Sequence, residues 1–279
     1  MASLARRNLF HDKVRLVVTL TGIVFSVVLA SIQLGLFVGF TCATADIIDH
    51  SGADIWIKSA GVPNMENGVP FSERKLYQVL ATPGVESAEK LIIQFGNWKR
   101  PNGAVESCLL IGFNPEDSLS APWNLVQGSI AELKAPDTVI VDELYKEKLG
   151  VTHLGQVVEI GGRRARVIGF TRGIRTFTTS PAVFTSFKNA QNYFGIRKDQ
   201  TIYVVIRAAA GVAPDELKKR LTARLKDVDV LTTGEWSRQQ QFYWMFGTGA
   251  GVTVLIAAGL GVLVGVVVVA QTIYAATVD

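Results

Sequence analysis

Charge is absent from two long stretches of this 279-residue chain. Residues 16–45 and 247–276 hold no Asp, Glu, Lys, Arg or His. Each exceeds the roughly 20 apolar residues with which a helix crosses about 30 Å of hydrocarbon. A soluble domain has no use for a helix that is apolar on every face, so both stretches read as membrane spans. With no ionisable group inside them, neither offers an ion or proton path.

Cysteine and histidine are scarce as well. The two cysteines, Cys42 and Cys108, cannot make a disulfide framework, although a single bridge between them stays open. His11, His50 and His153 are scattered without metal-ligand spacing. Also missing are the phosphate loop G-x-x-x-x-G-K followed by Ser or Thr, the G-x-S-x-G elbow and H-E-x-x-H. Ser, His and Asp are present, but a triad is recognised by geometry and spacing does not assemble one. The chain is therefore expected to be no enzyme and to bind no cofactor and no metal itself. Its net charge of +4 is small, and no basic stripe with interleaved aromatics marks a nucleic-acid surface.

What charge there is has a direction. Arg6, Arg7, Lys13 and Arg15 precede the first apolar run, and Asp46, Asp49 and Asp54 follow it. The excess of Lys and Arg marks the cytoplasmic side, so the N-terminus is cytoplasmic and the segment between the spans is extracytoplasmic. A cleaved signal peptide is the competing reading, with Ala43-Thr44-Ala45 as an A-x-A-like site. Its apolar region would be about 7–15 residues, and this run is far longer. The divisions expected are 1–15 cytoplasmic, 16–42 first span, 43–235 core domain, 236–246 stalk, 247–272 second span and 273–279 the start of a cytoplasmic segment.

Small residues one helical turn apart recur in the spans: Gly35 and Gly39 in the first, Gly247 and Gly251, then Gly261 and Gly265, in the second. Such pairs let helix backbones approach closely, so these six are candidate helix-packing residues. Before the second span lies a polar and then aromatic segment. Trp236, Tyr243 and Trp244 fit an interfacial belt at the outer membrane surface. If wholly helical, the segment extends the second span outward as a stalk.

The core domain shows mixed periodicity. Residues 54–58 read as a strand, 73–81 as a short helix with Leu76, Val79 and Leu80 inward, and 85–98 and 105–113 as strands. The pattern resumes with a strand at 201–207, a helix at 214–226 carrying Leu217, Leu221 and Leu225 on one face, and a strand at 228–231. The order is βαββ, an insert, then βαβ. The fold class expected is α+β: a ferredoxin-like frame with a β-rich insert, between two transmembrane helices. Within the insert, about residues 119–200, Gly161-Gly162 between two alternating runs signals a hairpin. Arg163, Arg164 and Arg166 on that hairpin read as a solvated strand face guarding an edge, or alternatively as an anion site.

The opening phrase NLFHDKVRLVVTLTGIVFSVVLASIQLGL, the close VVVVAQTIYAATVD and the hairpin phrase Val167-Ile168-Gly169-Phe170 together resemble permease subunits of MacB/FtsX-type ABC transporters, nearest the DevC-like branch. The resemblance runs along essentially the whole chain. It implies a periplasmic core domain with one continuous and one inserted part, in a multi-pass protein of the bacterial inner membrane. It also implies a permease that pairs with itself or with a second permease chain, and that ATP is bound by a separate ABC ATPase subunit. A periplasmic adaptor, an outer-membrane channel and membrane lipid are further implied partners. Stalk helices in the family transmit ATP-driven motion to the periplasmic domain for export. Permeases of this kind have four spans, so the expectation is a fragment or truncated product, or a half completed by a second chain. A two-span sensor or receptor, and a regulator of polysaccharide chain length, are the alternative functions.

Overall fold

The structure is a computed structural model that describes residues 13–278. In chain order its elements are α1 (Lys13–Asp49), β1 (Ile55–Ser59), β2 (Phe71–Ser72), α2 (Arg74–Leu80), β3 (Val85–Lys99), β4 (Val105–Phe113), β5 (Leu125–Gln127), β6 (Thr138–Asp142), α3 (Lys146–Leu149), β7 (Val157–Ile160), β8 (Arg163–Thr171), β9 (Ala182–Ser186), α4 (Phe187–Phe194), β10 (Gln200–Thr201), β11 (Tyr203–Ala208), α5 (Pro214–Arg224), β12 (Val228–Thr232), α6 (Thr233–Phe242) and α7 (Ala250–Val278). They divide into two compact units. One holds the apolar helices, up to Cys42 and from Trp244 onward; the other is Ala43–Tyr243.

Among the described residues two helices are long and apolar enough to cross a membrane, Leu16–Asp49 and Ala250–Gln271. Of the topology anchors, Arg6 and Arg7 lie outside the described residues, Lys13 opens α1, and Arg15 falls in its first turns. The last turns of α1 belong to the mixed unit, where Ala45, Ile47 and Ile48 are buried.

The frame of the mixed unit is an antiparallel sheet of order β12-β1-β11-β3. Numbered within the frame alone, that is 4-1-3-2, the order expected of two interleaved βαβ units in a ferredoxin-like fold. Successive strand residues point to opposite faces, and the two faces have different partners. Ile55 and Ile57 of β1 and Val204 and Ile206 of β11 pack with Leu76 and Val79 of α2 and with Leu217 and Leu221 of α5. Trp56, Tyr203 and Val205 point the other way, into a second apolar cluster with Trp236. Leu80, expected inward, is exposed; α2 is one short stripe deep and ends there.

β3 serves two sheets. Residues up to Leu91 pair with β11, and from Ile92 onward the strand pairs with β4. Val105–Phe113, grouped with the frame in the sequence reading, runs along this second half and stands with the insert's strands. From β4 the pairing passes to β9, β6, β8 and β7, and β7 returns to β3 at Trp98 and Lys99. The insert is thus a closed ring, which leaves few open sheet edges. The hairpin at Gly161-Gly162 forms as expected, with φ of 56° and 77°, values that suit glycine in a two-residue turn. α4 lies close on β4: a Cβ added at Gly112 would collide with Ala190 Cβ.

Candidate functional site

The face of the frame opposite α2 and α5 is covered by α6, and there the polar side chains converge. Thr232 caps α6 and Glu235 bonds back to the Thr232 amide, a reciprocal capping box. Glu235 also receives Lys218 Nζ from α5 at 2.6 Å. The Thr233 amide donates to Asp54 O at 2.9 Å, and its hydroxyl donates to Ala53 O. The first turn of α6 is therefore tied both to the frame and to the segment that follows α1.

Further along, Trp236 and Gln240, one turn apart and so on one helix face, are both fully buried. Lys58 Nζ lies 5.1 Å from the centroid of the Trp236 ring and 2.5 Å from Asp229 Oδ2, and Tyr203 flanks the same indole at 6.4 Å. The Gln240 amide is used at both ends. Its Oε1 accepts from the Met65 amide at 2.8 Å, and its Nε2 donates to the two Glu66 oxygens at 2.9 and 3.0 Å. Gln239 Nε2 donates to Val62 O and Pro63 O, each at 3.3 Å. Tyr203 completes the set by donating from its hydroxyl to Met65 O at 2.7 Å. Burial first, and then the Glu66 carboxylate, push the Tyr203 phenol pKa upward, so it remains a donor. Buried carboxylates persist where they are hydrogen-bonded, and Glu66 accepts two such bonds from Gln240.

This geometry corrects two expectations. Trp236 is not available to an interfacial belt, because the periodicity of α6 turns it inward with Gln240. Nor is the stalk continuous with the second apolar helix. After Phe242 the backbone makes a π-helical turn, Tyr243–Gly247, and Gly249 at φ 77° precedes α7. Tyr243 and Trp244 lie in that turn, partly exposed.

The helix-packing candidates separate into groups. In the apolar unit, a Cβ at Gly261 would meet Leu29 Cδ2 at 3.3 Å, and one at Gly265 would meet Ser26 Cβ at 2.9 Å. These two glycines are where α7 meets α1. Gly251 instead abuts Met245 of the turn before it, at 2.5 Å, and Gly247 ends that turn. A Cβ added at Gly35 or Gly39 would meet no other part of the described residues within 4 Å. One packing residue was not foreseen: Gly22, whose added Cβ would lie 2.6 Å from Val268 Cγ1. Its signal was Ser26 four residues on, a small residue that satisfies its own hydroxyl by donating to Gly22 O at 2.9 Å.

A family model described as the MacB-like periplasmic core domain matches residues 16–224. The chain belongs to this family. Two proteins described as uncharacterized ABC transporter permeases, from two strains of Mycobacterium tuberculosis, are 28% identical to the MacB-like chain over 190 residues. That is 67% of this chain and 51% of theirs, so the chain spans about half the length of the curated relatives it matches. Among solved structures, the periplasmic region of MacB from Actinobacillus actinomycetemcomitans superposes with a TM-score of 0.48 at 15% identity, over 66% of this chain and 91% of that one. The extracellular domain of the ABC-type transporter YknZ from Gram-positive bacteria gives 0.48 at 14%, over 64% and 98%.

Other polar groups of the MacB-like domain serve its structure. Asp142, fully buried, accepts from the Leu144 and Ile174 amides at 3.0 and 2.8 Å and from the Thr171 hydroxyl at 2.9 Å, which makes it a cap. Its neighbour Glu143 pairs with Arg172. Both cysteines are free, and burial pushes the Cys108 thiol up to about 12 despite the bond it makes to Gly96 O. Among the described residues no group of three or more His, Cys, Asp and Glu is placed to hold a metal ion.

Proposed function

We propose that the MacB-like chain is the permease component of an ABC-type exporter, and that it carries motion driven by a separate cytoplasmic ATPase to its periplasmic domain. The reading rests on family membership, with the α6 junction as the observation that carries it. A relay needs a helix held firmly by the domain it is to move. The bonds from Gln240 to Met65 and Glu66, with Glu235 on Lys218, hold α6 in that way. In this reading α1 and α7 cross the inner membrane, the permease works as a pair with itself or a second permease chain, and an adaptor and outer-membrane channel continue the route. The chain performs no reaction of its own, and ATP is bound by the partner.

The test is recovery of the tagged full chain from membranes, followed by nucleotide hydrolysis and export measurements on the complex. Co-purification of an ABC ATPase is expected. Gln240→Leu should leave ATP hydrolysis in place while export falls at least tenfold. Absence of any ABC ATPase, or export unchanged in Gln240→Leu, would sink the proposal.

A further inference from the structure

On the outer face of the ring, the β7–β8 hairpin meets the end of β3. The registers place Lys99 beside Glu159 and Glu159 beside Arg164, across three strands. Ala165 and Val167 are buried, so the alternation turns Arg164 and Arg166 outward on one face. A groove of about 390 Å³ opens here, lined by Lys99, Arg100, Pro101, Val157, Glu159 and Arg164.

Edge guarding accounts for only part of these arginines, since Arg166 is flanked by strands on both sides. β7 pairs with β8 along its length and with β3 at Glu159 and Ile160, and β8 gains β6 from Arg166 onward, so only Arg163–Ala165 of β8 keep an open side. Local ion pairs neutralise only part of the charge. Lys99 contacts Glu159 at 3.2 Å, and Arg100 reaches Glu106 only at 3.9 Å. The side chains of Arg164 and Arg166 make no hydrogen bond or ion pair among the described residues. Lys99 and Arg100 thus pair with Glu159 and Glu106, while Arg164 in the groove and Arg166 beside it add two exposed cations. Arg100 supplies a second, independent observation. One of its terminal nitrogens donates to Glu147 O at 3.2 Å, yet its Nε is buried with no protein partner. A buried guanidinium N–H left unpaired is costly, and it belongs to a side chain that lines the groove.

We propose that this groove binds the phosphoryl group of a phosphate ester. Guanidinium forks match phosphate oxygens and make charge-assisted bonds to them. The excess of cations suits a dianion, and the Pro101–Val157 wall suits the organic part of an ester. The phosphoryl group can belong to a soluble ester or to a phospholipid head group.

The test uses the full chain in a maltoside detergent, with calorimetric titration of glycerol 3-phosphate in one arm and dihexanoyl phosphatidylglycerol in the other. Saturable binding of at least one probe is expected, weakening as salt is raised. Binding of the first alone assigns the site to soluble esters, and binding of the second alone to lipid head groups. Arg164→Gln and Arg166→Gln should each weaken binding about tenfold, with circular dichroism unchanged. Arg164→Lys should retain part of it. Arg197→Gln, at an exposed arginine paired with Asp199, should have no effect. No saturable binding of either probe up to about 10 mM, at which even the weakest specific contacts register, overturns the proposal. So does a loss in Arg197→Gln equal to that in Arg164→Gln, since it would mark diffuse surface charge.

Discussion

The Gln240 side-chain amide donates to both carboxylate oxygens of Glu66, at 2.9 and 3.0 Å, and neither residue reaches solvent to any useful extent. One helix is thereby fixed to a loop that lies far from it in sequence. The bond exists only when α6 sits in a single axial and rotational position, because a shift of one residue would turn Gln240 by about 100° away from Met65 and Glu66.

Replacing Gln240 should therefore cost more than an ordinary surface change. Gln240→Leu strips two donors from a buried carboxylate and leaves the Met65 amide unpaired. Destabilisation of about 2–4 kcal/mol is expected, measured by urea unfolding of the full chain in detergent. In Gln240→Leu/Glu66→Leu the loss should be well below the sum of the single losses, because the carboxylate and its donor are removed together. Additive losses would show that the two residues do not act together.

The glycine face of the apolar helices can be tested by cross-linking. With Cys42→Ser as background, Leu29→Cys and Gly261→Cys should form a disulfide under mild oxidant, given the 3.3 Å approach. Gly35→Cys with Gly261→Cys should not, because Gly35 faces open space. Adding Gly265→Leu should reduce the first bridge severalfold, by driving a branched side chain into Ser26.

Cys108 should be chemically silent. With its pKa near 12, about one thiol in ten thousand is ionised at pH 8, and the thiolate is the reactive species. Iodoacetamide should leave Cys108 unmodified in the folded chain and label it fully in concentrated urea, as read by mass spectrometry. Stoichiometric labelling of the folded chain within minutes would contradict its placement.

The Lys218–Glu235 pair makes a pH prediction. Burial alone would raise the Glu235 carboxyl pKa, but hydrogen bonds from Lys218 and from the Thr232 amide outweigh it and hold the group below its ordinary value. A depressed carboxyl stabilises the fold above the ordinary carboxylate range and loses that contribution as pH falls through the folded value. Lys218→Met should thus lower stability by about 1 kcal/mol or less at pH 7, as for a partly exposed pair. The gap should close as pH falls through the folded value, which lies below the ordinary carboxylate range. A gap that persists at low pH would point to lost packing in its place.

Local chemistry was legible in the sequence where a residue pair decides the backbone. Gly161-Gly162 turned the hairpin where expected, and Gly195 at φ 65° ended α4. The frame was legible because Leu217 and Leu221 mark one face of α5 and strands flank both frame helices. Ring closure was not, since nothing local announces that Trp98 will pair with Ile160. Trp236 was misplaced for a related reason. An aromatic near an apolar run has the same composition whether it faces lipid or core, and only distant Lys58 and Tyr203 decide. Gly249 was read as part of a smooth helix because glycine serves both close packing and chain reversal.

Leu91 and Ile92 are neighbours, yet the first is the last residue of β3 paired to the frame and the second the first paired to the ring. The strand acts as a common ruler for two separately packed interiors. Lengthening it by a single residue at that joint would present every later side chain to the wrong face, expelling Trp98 from its buried place while the frame stayed intact. The spacing across that one peptide bond therefore sets the register of the ring against that of the frame.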